Sequence, residues 1–532
     1  MMREKTTVWS NGTNARSPRA GAPRGRELQG DIEVDVAIIG AGITGLTAAL
    51  RLAEDARLRI ALLEARPFCG VTSLSTGHLT QWVDAGYAAL EKSFGREANR
   101  LVAEGLGEAI DFIGHASEAM QRAFGVDAAY ARRTGWFFAE AGREGGRDDG
   151  ELREELEAAA RAGLPVRFER EAPLPFATAG AVALPGQAQI DPDAYVLGLA
   201  ASLPETVAFY TNAFVHAVHG GEPCRVETSR GTVKARWVVE ATHVPLGRNI
   251  YHAVTAPYRS YVIAAKVDAP LPEGLFWDTA SPYHYLREHR GVLIVGGADH
   301  KTGQADDTVA RYCDLEEYTQ RRFGPVSVRA RWTAEVYESV DGLPYMGKAP
   351  WSHHVIVSTG YAGDGLVFGT LGGMLACDLV MGRAPRWAPV LSASRVKPVA
   401  SAAKLVKEQA NVALRLVGDR LKRVPKGAFD RVPQGEGRLV MVDGKRCAVY
   451  RDERGHVHVM SATCTHAACV VQWNAAAKTW DCPCHGGCFA PTGEVIAGPP
   501  PRRLAPYNYE HEAPDERDAE PLRPPQSARG GR

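Results

Sequence analysis

The chain lacks an excess of charge of either sign: 62 Lys and Arg residues face 62 Asp and Glu residues over 532 positions. Nucleic-acid binders use a basic excess to neutralise phosphates, so nucleic acid is not an expected partner, and small molecules or proteins are. Long apolar runs are missing too. No stretch reaches the roughly 18 residues of a membrane span, so none is expected. The first thirty residues hold neither an apolar secretion core nor paired arginines, and the expected compartment is the cytoplasm. Cysteine is sparse: ten in a chain of this length do not make a disulfide scaffold. Cys69, Cys224, Cys313, Cys377 and Cys447 stand singly and are expected to be small buried hydrophobes. The other five crowd between Cys464 and Cys488, and that density marks a site.

What is present is an ordinary globular composition, 45% apolar, in a chain longer than one core usually serves, so two or three domains are expected. Near the start, "EVDVAIIG" reads as a buried parallel strand that stops at Gly40. Gly40, Gly42 and Gly45 follow in G-x-G-x-x-G spacing, then the helical "LTAALRLAED" and a second strand, "LRIALLE", ending at Glu64. In such a βαβ unit the first glycine permits the turn, the second admits a pyrophosphate to the helix N-terminus, and the third lets helix pack on strand. Glu64 is placed to take a ribose hydroxyl pair. A second glycine-rich loop, with Gly360, Gly363 and Gly365, joins the strand-like "VIVST" to a long helix. The N-terminus of that helix would favour the negative charge of a reduced flavin.

In the C-terminal cluster, Cys464-x-His466 and Cys482-x-x-His485 each offer one thiolate and one imidazole from a loop. A Rieske 2Fe-2S centre takes two Cys on one iron and two His on the other, which two such loops supply. A tetrahedral zinc ion also accepts two Cys and two His, but zinc leaves Cys469 and Cys484 without a role.

The segments "VAIIGAGITGLTAALRLAE", "VVEATH", "DGLPYMG" and "GYAGDGLVFGT" together resemble FAD-dependent oxidoreductases related to D-amino acid oxidase, glycine oxidase and sarcosine oxidase, over about residues 32–385. The resemblance implies an α/β Rossmann-like FAD-binding domain with an interleaved antiparallel-sheet substrate domain of α+β type. It assigns Gly40, Gly42, Gly45, Glu64, Arg66 and Val215 to the ADP half of FAD. Thr76, Gly77, His78, Gly363, Asp364, Gly365 and Leu366 are assigned to the flavin ring. "CTHAAC", "CPCHGG" and the later "GPP" resemble Rieske domains of respiratory cytochrome bc complexes, over about residues 428–508. That implies a C-terminal all-β domain with Cys464, His466, Cys482 and His485 as iron ligands and a Cys469–Cys484 disulfide clamping the two loops. The whole chain, including "VWSNGT" at 8–13, resembles Rieske-containing FAD-dependent oxidoreductases.

The expected organisation is a flexible arm at 1–31, the FAD domain at 32–385, a linker at 386–427, the Rieske domain at 428–508 and a disordered tail at 509–532. The linker contains an amphipathic helix at 399–421, with Ala402, Leu405, Val406, Val412, Leu416 and Val417 among its apolar positions. Docking between the domains is its expected use, and a membrane surface is the alternative.

A flavin takes a hydride and one Rieske cluster carries one electron. The expected function is therefore oxidation of a small amine or amino-acid-like substrate, with electrons passed singly to a soluble acceptor or carrier protein. A redox relay or sensor without metabolite turnover is the alternative. In the amino-acid-oxidising relatives an Arg before the "DGLP" element grips the substrate carboxylate; Val336 stands there in this chain, which disfavours a simple α-amino acid. Arg259, Tyr261, His78 and His300 are the candidate replacements. High-potential Rieske centres place hydroxyl donors where this chain has Gly487 and Phe489, so a lower reduction potential is expected.

Overall fold

The computed structural model describes residues 7–10, 25–66, 70–141, 149–395, 398–425 and 429–507. The β-branched run Ile32–Ile39 forms a central strand, paired in parallel with Gly231–Glu240 on one side and Ile60–Leu63 on the other. Its sheet runs in the order Tyr345–Lys348, Val355–Thr359, Gly231–Glu240, Ile32–Ile39, Ile60–Leu63, Val207–Tyr210. The strands Val215–His219 and Cys224–Thr228 extend it as an antiparallel hairpin. Val36, Ile38 and Leu62 pack one face of this sheet against Leu46 of helix Ile43–Leu52 and Leu371 of helix Gly365–Val380.

The chain leaves this layer repeatedly to build a second, nine-stranded sheet. Its edge strand Val326–Ser339 pairs with Thr255–Val267, followed by Val292–Lys301, His284–His289, Leu275–Asp278, Ala131–Glu140, Thr178–Gln189 and His78–Leu79. Most pairings are antiparallel, which suits a sheet assembled from hairpins; Leu275–Asp278 and Ala131–Glu140 are parallel. After helix Pro398–Leu421 come two small antiparallel sheets. One contains Glu436–Val442, Lys445–Arg451 and Val457–Ser461, the other Gln472–Asn474, Thr479–Asp481, Cys488–Phe489 and Val495–Ala497. Trp480, Phe489, Met460 and Leu504 fill the core beneath the cysteine loops.

Three expectations need correction. The N-terminal segment is not a free arm throughout. Trp9 is buried, its indole donates to the Ser75 carbonyl at 3.1 Å, and its ring packs edge-on against Trp332; Leu28 is buried as well. The apolar positions of the linker helix do not all face inward, since Val406 and Val417 are 68% and 58% exposed. Cys313 is exposed, whereas Cys224, Cys377 and Cys447 are buried. Cys69 and the tail at 509–532 lie outside the described residues.

Candidate flavin cavity and cluster site

Between the two large sheets lies a cavity of about 890 Å³, of a size that holds a cofactor with a small substrate. Gly40, Gly42, Glu64, Arg66 and Val215 line it, together with Thr76, His78, Gly363, Asp364, Gly365 and Leu366. The local reasons are geometric. Gly40 turns at φ +99°, and a Cβ there would lie 2.5 Å from the Ala241 carbonyl. Gly42 opens helix Ile43–Leu52 without a side-chain cap. Glu64, at the end of Ile60–Leu63, is buried and accepts from the backbone N–H groups of Ala41 at 2.9 Å and Arg66 at 3.2 Å. Gly45 and Gly77 lie behind the wall, where any Cβ would run into the carbonyls of Gly40 and Ile190 respectively. The glycine cradle, the uncapped helix start and the fixed acid fit the diphosphate and ribose of FAD.

Aromatic rings and carboxyls line the cavity too: Trp277, Tyr258, Tyr283 and Tyr285 among the rings, Asp84, Asp299 and Glu338 among the acids. Burial pushes Asp299 up to about 7. Burial, and then the neighbouring Glu338, raises Asp84. His78 is held down to about 3 by burial and by Arg287, so its imidazole is neutral. Val336 lines the cavity and supplies no charge. Lys404 donates to Glu338 at 3.1 Å.

Of the four candidate substrate residues, only His78 lines this cavity. Arg259 is corrected to a different place: it is buried on strand Thr255–Val267 and donates to the Asp481 carboxylate at 2.8 Å, across to the C-terminal domain. Tyr261 and His300 bond each other at 2.9 Å, with the Tyr261 ring packed on Tyr312. They stand away from the cavity lining because side chains alternate along a strand: Tyr258, Ser260 and Asp299 face the cavity, which turns Arg259, Tyr261 and His300 to the other side.

In the C-terminal domain Cys469 and Cys484 form a disulfide. The sulfurs of Cys469, Cys482 and Cys484 lie within 4.8 Å of one another, but the disulfide occupies two of them. The thiols of Cys464 and Cys482 are both free and buried, and the rings of His466 and His485 meet at 5.0 Å. Nδ1 of His485 is buried without a hydrogen-bond partner among the described residues. His466 directs Nε2 to the Gly247 carbonyl at 3.2 Å, which turns its Nδ1 the other way. Two thiols and two imidazoles aimed inward from facing loops fit the donor set of a Rieske cluster.

This ligand face is docked on the FAD domain. Arg248 donates to the His466 carbonyl at 3.2 Å, and the His252 ring contacts both His466 and His485, at 4.6 and 5.6 Å. The Tyr337 hydroxyl reaches the carbonyls of His485 and Gly486 at 3.4 and 3.3 Å. Gly486 permits the approach: at φ +71° its Cβ would sit 2.8 Å from both Glu335 Oε1 and Pro257 Cβ.

A dinucleotide cavity and a two-Cys, two-His loop pair in one chain define a flavin and iron–sulfur oxidoreductase. Residues 35–379 match the family model for FAD dependent oxidoreductases, and residues 422–508 match the Rieske [2Fe-2S] domain. The chain belongs to the FAD-dependent oxidoreductase family and carries a C-terminal Rieske domain; the first domain binds FAD and the second a 2Fe-2S cluster. It is 30% identical over 505 residues to YhfW of Bacillus subtilis (strain 168), named for a Rieske 2Fe-2S iron-sulfur centre, covering 93% of this chain and 96% of that protein. The cytochrome b6-f complex iron-sulfur subunit of Chlorobaculum tepidum is 35% identical over 86 residues, 16% of this chain and 47% of that subunit. Glycine oxidase from Geobacillus kaustophilus shares the fold, with a TM-score of 0.56 at 21% identity over 68% of this chain and 99% of that one. So does L-amino acid deaminase from Proteus vulgaris, with a TM-score of 0.53 at 17% identity over 71% and 98%.

Asp84, Asp299, Tyr283, His252 and Tyr337 escaped the sequence reading. "SPYHYL", with tyrosines at alternate positions, carried a strand signal for Tyr283 and Tyr285. Nothing local in the sequence marks His252 or Tyr337 as neighbours of the cluster loops.

Proposed function

We propose that the protein oxidises a small amine or amino-acid-like substrate and passes the electrons singly, through its C-terminal domain, to an external acceptor. Bound FAD supplies a two-electron acceptor and the 2Fe-2S cluster a one-electron carrier. The observation that carries this reading is the edge strand Val326–Ser339, which serves both sites. Val336 and Glu338 line the cavity, while Tyr337 between them bonds the carbonyls of His485 and Gly486. His243, also on the cavity wall, packs edge-on against the Tyr337 ring at 4.8 Å. Burial holds His243 down to about 4, so it places no charge in that wall at neutral pH.

On the substrate side, the aromatic rings of Trp277, Tyr258 and Tyr283 line the cavity. The Ser260 hydroxyl bonds Tyr285 at 2.9 Å and fixes that ring's edge. Val336 gives a carboxylate nothing to grip, and Glu338 already engages Lys404, so an amine group is the better match for Asp299 and the tyrosine rings. The test is anaerobic stopped-flow mixing of the purified protein with a panel of amines and amino acids, followed at the flavin absorbance. Rapid bleaching by a panel member supports the enzyme. Bleaching only by a nicotinamide or a protein donor supports the relay and rejects this reading.

A further inference from the structure

The helix Pro398–Leu421 is built inside out. A surface helix ordinarily buries its apolar stripe and shows its polar face to water, and here most of the inward contacts are polar. Lys404 donates to Glu338 and to the Ser339 carbonyl. Glu408, buried, pairs with Lys301. Gln409 donates to the Ala253 carbonyl at 2.8 Å, and Asn411 accepts from Gln304 at 2.8 Å. Asp419, buried, pairs with Arg415 and Lys422. Val412 and Leu416 make its partial apolar contact with the C-terminal core. The residues turned to solvent are Val406, Leu414, Val417 and Leu421, at 68%, 71%, 58% and 77% exposure, with Ala410 and Ala413 between them. Positions 406, 410, 413, 417 and 421 follow one another at intervals of three and four. They therefore form a single stripe roughly 22 Å long.

Charge identifies what covers the stripe. The charged residues exposed between 402 and 423 are Lys407, Arg420, Lys422 and Arg423, all basic, with Lys422 also paired to Asp419 and Arg420 to the Ala468 carbonyl, whereas both acids of the helix are turned inward. An apolar stripe whose exposed charges on the same helix are all basic complements an anionic lipid surface: the apolar residues enter the acyl boundary and the long basic chains reach the phosphates. Antiparallel pairing with a second copy would instead set the basic 420–423 end against the Lys407 end of its mate. We infer that this helix seats the protein on an anionic membrane surface, a reading independent of the substrate proposed above.

The experiment is flotation of the full-length holoprotein with vesicles of phosphatidylcholine alone or with roughly one-third phosphatidylglycerol. Recovery with the anionic vesicles, reduced by high salt and by omission of the anionic lipid, is expected. The Leu414→Glu/Val417→Glu variant should lose at least about tenfold in partition while keeping its flavin content. Lys407→Gln/Arg423→Gln retains the stripe and the Lys422–Asp419 pair and should lose the preference for anionic lipid. Failure of the wild type to float, or undiminished flotation of Leu414→Glu/Val417→Glu, overturns the inference. So does a concentration-dependent dimer in sedimentation equilibrium that this variant abolishes while the wild type ignores vesicles.

Discussion

Replacing Arg259 by methionine tests how the C-terminal domain is fastened. The guanidinium and the Asp481 carboxylate are 3% and 1% exposed, with Nη2 to Oδ2 at 2.8 Å. Water screens neither group, so the discount applied to surface pairs does not apply. At an effective dielectric constant near 20, unit charges about 4 Å apart attract by about 4 kcal/mol. Removing one member of a buried pair costs about 3–5 kcal/mol, because the other charge stays behind. Asp481 keeps hydrogen bonds from Asn474 at 2.9 Å and Thr479 at 2.8 Å, which places the expected cost near the lower end, about 3 kcal/mol. Asp481 directly precedes Cys482, so the loss should appear first at the cluster. Urea unfolding of the holoprotein, followed separately by flavin fluorescence and cluster absorbance, should show the cluster transition moving to lower urea ahead of the flavin transition. In the double variant Arg259→Met/Asp481→Asn the costs should fall short of additive by at least about 1 kcal/mol. A cost for Arg259→Met below about 1 kcal/mol, or strict additivity, would mean that this pair does not fasten the C-terminal domain.

His485→Ala should lose the cluster and keep FAD, since the FAD cavity is enclosed largely by residues of the other domain; metal analysis and flavin absorbance decide it, and loss of both from soluble protein counts against separate cores. Gly487→Ser should raise the cluster midpoint by about 50 mV through a new hydroxyl donor. A Cβ at 487 lies 3.4 Å from Cys464 Sγ but only 2.7 Å from the Pro500 ring, so Pro500→Ala must accompany it, and protein-film voltammetry showing no rise over Pro500→Ala alone rejects the donor. Asp299, raised by burial to about 7, is neutral below that pH and charged above it. Binding of benzylammonium should therefore strengthen, and binding of benzoate weaken, between about pH 6 and 8. The folded state holds this proton more tightly than the unfolded chain, so the group's contribution to stability is lost as pH rises from about 4 to 7. Flavin difference spectra that are flat with pH in the wild type, or unchanged in Asp299→Asn, contradict the assignment.

The glycine cradle was legible in sequence because backbone geometry dictates glycine at fixed intervals: the φ of +99° at Gly40 and the carbonyl packed against Gly45 leave no room for choice. The cysteine and histidine loops were legible because a cluster's chemistry dictates its ligand types. Arg259 was not, since its partner lies 222 residues away in another domain, and no local pattern separates a substrate arginine from an interdomain one. The linker helix was half legible. Its periodicity announces a stripe, but which side the protein covers depends on Lys301 and Gln304, which capture Glu408 and Asn411 and so turn Val406 and Val417 outward. Trp9 was misread because a short polar segment around one aromatic looks like an arm until Ser75 and Trp332 are placed beside it.

In the proposed function the cavity and the docked cysteine–histidine loops work as one unit across the wall formed by His243 and Tyr337. The most direct measurement is rapid-freeze EPR after anaerobic mixing of the holoprotein with an amine that bleaches its flavin, with no external acceptor present. The signal of a reduced, histidine-ligated 2Fe-2S cluster should rise toward one spin per chain as the flavin gives up one of its two electrons, the second staying on the flavin because no other acceptor is present. A flavin that stays reduced beside a cluster that remains EPR-silent would contradict it.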